Sequence, residues 1–215
     1  MKGYNELYLN DAMKNLGDMV EYAILDLGFE PDEFFGYFIS SGIAEKFGNG
    51  NPKYIVGMSG VELAEAVLNA INVSFESVSA SHTGYKGVEY WAGWILAYYQ
   101  WETGRRFEDI VNGGLTLSTV FSMYILHEAD VSKFVETANE MIARSKRNSK
   151  SKLSQIRKAR GFTQAELANA SGITLRMVQL YEQKQNDINK AQADTVLALS
   201  KALGCDIQDI LELRP

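Results

Sequence analysis

Residues 156–182 read IRKARGFTQAELANASGITLRMVQLYE, and this stretch decides the fold of the C-terminal part of the chain. Leu153 and Ile156 suit a short first helix that closes at Gly161. Thr163-Gln-Ala-Glu166 is a capping box: a threonine hydroxyl accepts the N–H three residues on, and the glutamate accepts the threonine's own N–H. It opens a second helix from Gln164 to about Ala170. Ser171-Gly172 makes a tight turn, with Gly172 where the backbone must become left-handed, which glycine does without steric cost. Thr174 caps a third helix that runs to about Gln183, with Val178 and Tyr181 facing the core. Further on, Asn189-Lys-Ala-Gln192 is placed to cap a fourth helix whose Val196, Leu199 and Leu203 share one face and which ends at Gly204. Asp206 then caps a short last helix holding Ile207, Ile210 and Leu211.

The nine residues before this unit, Arg144-Ser-Lys-Arg-Asn-Ser-Lys-Ser-Lys152, include no apolar side chain and cannot contribute to a core. They read as a basic linker, 144–152, between an N-terminal domain, 1–143, and a C-terminal domain, 153–215. Charge changes sign at the same place. Residues 1–143 carry 8 Lys/Arg and 20 Asp/Glu, a net charge of −12, whereas residues 144–215 carry 13 and 7, a net of +6. The basic end is the natural contact for a polyanion and the acidic body is not.

Several features coincide in the C-terminal stretch: Arg157 in the first helix, Thr-Gln-x-Glu-Leu-Ala opening the second, Gly172 in the turn, Glu182 ending the third, and Ala-Leu-Gly at 202–204. Together they resemble the Cro/CI-type helix-turn-helix family of bacterial and phage repressors over about residues 153–213. The resemblance implies the five-helix, lambda repressor-like fold and double-stranded DNA as a partner. It implies that the third helix enters the major groove, with its N-terminal residues nearest the base edges. Thr174, Leu175, Arg176 and Gln179 are then the candidate base contacts. Arg176 is suited to guanine, Gln179 to adenine and Leu175 to a thymine methyl. Gln164, at the start of the second helix, and Lys184 and Lys190, in the loop after the third, are the candidate phosphate contacts. The resemblance also pairs Arg157 with Glu182 in a salt bridge under the motif. There is one departure: Glu182-Gln-Lys-Gln-Asn-Asp-Ile-Asn-Lys190 has no glycine where the family often has one. An extension of the third or fourth helix is expected there.

The N-terminal domain reads as an all-α bundle of about six helices. Pro31-Asp-Glu starts one, with Phe34, Phe35, Phe38 and Ile39 following at helical spacing. Gly48-Asn-Gly-Asn-Pro52 is a turn. Ser59-Gly-Val-Glu62 is a second capping box, continued by Leu63, Ala66, Val67 and Ala70 on one face. Asn72 to Gly87 is a Ser- and Gly-rich loop with room for a short strand at Val73–Val78. A helix from about Val88 to Thr103 stops at Gly104. After a break at Asn112-Gly-Gly114, helices cover about Thr116–Leu126 and Asp130–Ala143. Trp91, Trp94, Tyr98 and Trp101 recur at helical spacing around Ile95. Large side chains filling a bundle core explain them more simply than an effector pocket does. Tyr90, Tyr99 and Gln100 fall on other faces, so this helix is expected to be buried on more than one side.

The remaining composition narrows the function. A lone cysteine, Cys205, allows no intramolecular disulfide and fits a reducing cytoplasm. MKGYNELYLNDAMKNLG has no signal-peptide core. The longest strongly apolar run, Tyr90–Tyr99, is far short of the ~20 residues of a membrane span. His82 and His127 are the two histidines, without the partners of a zinc site, and His127-Glu128 lacks the second histidine of a zinc-protease helix. Gly48-Asn-Gly50 lacks the lysine of a phosphate loop. No catalytic residue, metal or cofactor is expected. The first reading is a cytoplasmic transcriptional repressor that acts as a homodimer, its N-terminal domain dimerising or sensing a small-molecule effector. The second is an antitoxin whose acidic domain holds a protein toxin while the basic domain autoregulates the operon. A DNA-tethered enzyme comes third.

Overall fold

The computed structural model describes residues 2–81, 86–148 and 150–212; His82, Ser149 and Leu213, each part of a reading above, lie outside them. The described chain is all helix, turn and loop, and it divides into two compact units, Met1–Ala143 and Arg144–Pro215.

The first unit is built on helices α1 (Leu9–Glu21) and α6 (Val88–Thr103). On α1 the buried residues Ala12, Met13, Leu16, Met19 and Val20 form one apolar stripe at helical spacing. The α6 helix is buried on several sides at once: Trp91, Ile95, Leu96, Tyr99, Gln100 and Trp101 are all inside. The two helices approach through Gly17 and Gly93. A Cβ at Gly93 would lie 2.3 Å from the Leu16 carbonyl oxygen, and one at Gly17 would lie 2.8 Å from the Tyr90 ring. The absence of side chains at these two positions is what lets the backbones meet. At its far end α6 closes on Gly104 (φ +63°), whose N–H donates to the Gln100 carbonyl at 2.8 Å.

Around this pair stand α2 (Pro31–Ser40), α3 (Ile43–Gly48), α4 (Pro52–Ile55), α5 (Gly60–Ala70), α7 (Phe107–Asn112), α8 (Leu117–Ser122) and α9 (Val131–Asn148). Pro31 sits at the N-terminus of α2 with Asp32 and Glu33 in its first turn. Phe35 and Phe38 of α2, Phe47 of α3 and Phe107 of α7 interlock edge to face, with centroids 5.4–6.1 Å apart. Both halves of the Ser59/Glu62 capping box are formed, and α5 buries Leu63, Ala64, Val67 and Leu68.

Several expectations are corrected here. The first unit starts nine α-helices among the described residues, where about six were expected. One of the additional helices is α1, whose apolar stripe lies where no helix was expected. Residues 73–78 form no strand; Val78 is fixed by its carbonyl, which accepts from the Tyr22 hydroxyl at 2.9 Å. The segment Thr116–Leu126 is interrupted: α8 ends at Ser122 and a tighter 3₁₀ turn covers Tyr124–Glu128. Ala70 is exposed, and Ala64 and Leu68 complete the buried face of α5 instead. The α9 helix continues through Asn148, so the start of the segment read as a linker is helical. Ser, Lys, Arg and Asn all have ordinary helix propensities, and an apolar-free run excludes a core position rather than a helix.

The second unit contains α10 (Lys152–Ala159), α11 (Gln164–Ser171), α12 (Leu175–Glu182), α13 (Ala193–Leu203) and α14 (Ile207–Ile210). They enclose Leu153, Leu167, Val178, Leu199, Leu203 and Ile210. Ser151, buried, caps α10 by accepting from the Ser154 N–H. Two details differ from expectation. The passage from α12 to α13 extends neither helix: Lys184 itself adopts the left-handed conformation (φ +55°) that a glycine would take. Asn189 does not cap α13, which starts at Ala193 after Gln192. Its side chain is used elsewhere, donating to the Glu212 carbonyl at 2.5 Å and accepting from the Glu212 N–H at 2.9 Å. That two-way amide bond ties the loop to the C-terminal segment.

Candidate nucleic-acid interface

The interface is held from beneath by one charged cluster. Arg157 of α10 donates through Nε and Nη2 to the two carboxylate oxygens of Glu182 at 2.5 and 3.0 Å, and through Nη1 to the Phe162 carbonyl at 2.6 Å. The Gln164 amide at the start of α11 donates to the same carboxylate at 2.8 Å. The Arg157 and Glu182 side chains are only 8% and 5% exposed. Three helices are thus joined at one bidentate pair, a geometry that fixes angle as well as distance. Burial alone would push the Glu182 carboxyl up, but the Arg157 and Gln164 hydrogen bonds and the guanidinium charge outweigh it and hold the group below the ordinary carboxylate range. Arg157 is raised in turn, chiefly by its bond to Glu182.

A pH dependence follows from the sign of that shift. The folded carboxyl titrates below its unfolded value of about 4.3, so the pair's contribution is complete above that value and is lost as pH falls through the folded one. The urea midpoint of the C-terminal unit should therefore drop as the buffer is taken from about pH 6 to about pH 3, and Glu182→Gln should flatten the drop. Equal slopes for the two proteins would mean that Glu182 titrates normally in the fold.

Above the lock, α11 and α12 are joined through Gly172 at φ +71°. The Thr174 hydroxyl accepts from the Met177 N–H and so caps α12. Val178 and Tyr181 face inward. Thr174, Leu175 and Arg176 are exposed, Leu175 by 42%, and Gln179 is half-buried on the next turn. The N-terminal edge of α12 is consequently a solvent-facing rim carrying a methyl-bearing hydroxyl, an aliphatic side chain, a guanidinium and an amide. Those are the groups that base edges in a major groove recognise.

The proposed phosphate contacts fare unequally. Gln164 is the first residue of α11, but its side-chain amide is engaged by Glu182, which leaves the first-turn backbone N–H as the group suited to an anion. Lys184 is half-buried, with Nζ 3.8 Å from a Glu212 carboxylate oxygen, so an acid of this unit already answers its charge. Lys190 ends a 3₁₀ turn, Ile188–Lys190, and is exposed. Two features escaped the sequence reading: the Gln164 bond to Glu182 and the Asn189 tie to Glu212. Both are tertiary pairings at separations of 18 and 23 residues, with no periodic trace.

In the first unit, the His127 ring lies stacked on Tyr124, 4.2 Å between centroids and 4° from parallel, with Nδ1 2.6 Å from the Tyr124 carbonyl oxygen. Among the described residues, no group of three or more His, Cys, Asp or Glu is placed to hold a metal ion. None of the described helices is long and apolar enough to cross a membrane. No curated protein and no solved structure matches the chain. The family model of the Cro/C1-type HTH DNA-binding domain does match it, over residues 152–215. With that match lying on the five helices, the Arg157–Glu182 lock and the exposed rim of α12, the C-terminal unit is a Cro/C1-type helix-turn-helix DNA-binding domain.

Proposed function

We propose that the protein is a transcriptional repressor that binds a two-fold symmetric duplex site as a homodimer, inserting α12 of each copy into the major groove. The observation that carries this reading is the exposed rim Thr174–Arg176, presented at a fixed angle by the buried Arg157–Glu182 pair. Arg176 reads guanine through N7 and O6, Gln179 reads adenine, Leu175 meets a thymine methyl and Thr174 accepts or donates at the groove edge. The α11 N-terminus and Lys190 hold the phosphates, and the net +6 of residues 144–215 supplies the sequence-independent attraction. Lys184 joins them only by leaving Glu212. The first unit, net −12, contributes dimerisation or ligand sensing, and the chain carries out no chemistry.

Symmetry enters because one such module buries only about 600–1,000 Å² of protein surface on DNA. A selective affinity calls for two, spaced by about 34–36 Å or a multiple of it. Selection of bound duplexes from a random pool by the full chain tests this. Enrichment of one inverted repeat with that half-site spacing is expected. Recovery of duplexes without a shared sequence would contradict sequence-specific regulation.

A further inference from the structure

One flank of the central helix of the first unit borders a cavity of about 340 Å³. That size is within the usual range for small-molecule sites. Its walls are mostly aromatic. Trp91 and Trp94 come from α6, Phe134 from the first turn of α9, and Tyr124 and His127 from the 3₁₀ turn between α8 and α9. Most of these rings hold one another in place. Trp91 meets Tyr124 and Phe134 edge-on, at 5.6 and 5.7 Å between centroids, and the Tyr124–His127 stack presents two parallel faces. Trp94 stays half-buried although its helix is otherwise well packed.

The charge at the margin is as informative as the walls. Lys86 is the one cation among the described lining residues. Its ammonium is 2.7 Å from Asp18 and 2.8 Å from Glu21, and it lies over the Tyr90 ring at 4.3 Å. Two carboxylates around one ammonium leave a local sum of −1. An anionic ligand would have to draw Lys86 away from both acids, while a neutral or cationic one would not.

We propose that this cavity is a binding site for a flat aromatic molecule without an anionic group, taken up between the ring of Trp94 and the Tyr124–His127 wall. The inference rests on the sensing role suggested for the first unit and deepens it. Val131 and Phe134 line the cavity and open α9, the helix that runs to Asn148, three residues before the Ser151 cap of the DNA-binding unit. An occupant therefore bears on the helix that leads along the chain into that unit.

Three probes share one ring system and differ in charge: indole, tryptamine and indole-3-acetate. Each is titrated calorimetrically into the full-length protein without DNA, so failure here leaves the DNA-binding reading standing, and failure to bind DNA leaves this site standing. Saturable one-to-one binding is expected for indole and tryptamine, with indole-3-acetate weaker by about tenfold. Trp94→Ala should abolish it by removing one face, and Ala129→Trp by filling the space from an exposed position on the rim, with circular dichroism confirming the fold. Absence of saturable binding by all three probes, strongest binding by the anion, or undiminished binding by the folded variants would overturn the proposal.

Discussion

Glu182→Ala should lower the stability of the C-terminal unit by about 3–5 kcal/mol, the usual cost of removing one partner from a buried ion pair. The substitution deletes both bonds from Arg157 and the bond from Gln164. It leaves a guanidinium on a residue only 6% exposed, its charge unanswered and its Nη1 still donating to the Phe162 carbonyl. The penalty comes mainly from that stranded charge, not from the net worth of the pair. The double substitution Arg157→Met with Glu182→Leu should therefore recover much of the loss, because it removes the desolvation of both charges together. Thermal unfolding of the full chain followed by circular dichroism distinguishes these outcomes. For a unit of this size each kcal/mol corresponds to about 4–8 °C, so the single variant should lose well over 10 °C and the double variant much less. A single variant that melts with the wild-type protein would show that the pair is solvated and that α12 is held by other contacts.

How far each feature could be read from the sequence followed from how local its cause is. Capping boxes at Ser59 and Thr163, the left-handed Gly172 and the Pro31 start each depend on residues within one turn, and each is formed as read. The stripe of α1 was as legible as any, since its apolar residues keep helical spacing; it escaped a reading directed at targeting signals. The α6 helix was harder. Its apolar residues surround it, so periodicity cannot say which faces are covered, and only the packing shows Gln100 and Tyr99 buried beside the tryptophans.

At the interface the same rule held. The rim of α12 and the Arg157–Glu182 partnership both came through the family resemblance, because Thr174 and Leu175 stand four and three residues before Val178 and helical spacing alone does not turn them outward. The fates of Lys184, Asn189 and Gln164 were decided by partners far along the chain. Glu212 engages Lys184 and Asn189, and Glu182 engages Gln164. A lysine accepting φ +55° was the least legible feature of all, because left-handed backbone there would ordinarily be inferred from glycine.

In the proposed complex α12 reads base edges while the surrounding cations hold the backbone. Arg176→Ala should weaken binding to the selected site by about 1–3 kcal/mol, about 5- to 150-fold, and barely affect binding to random duplex. The reason is structural: Arg176 is exposed at the start of α12, so its removal disturbs no core contact and takes away only what it touches in the groove. Lys190→Ala should weaken both complexes alike and lower the slope of log affinity against log salt by about one, because a phosphate contact carries no sequence information. The most direct measurement is a titration of wild-type protein, Arg176→Ala and Lys190→Ala against the selected and a random duplex across a salt series. The proposed docking predicts loss of discrimination with an unchanged salt slope for the first variant, and retained discrimination with a reduced slope for the second. Equal weakening of both duplexes by Arg176→Ala would contradict it.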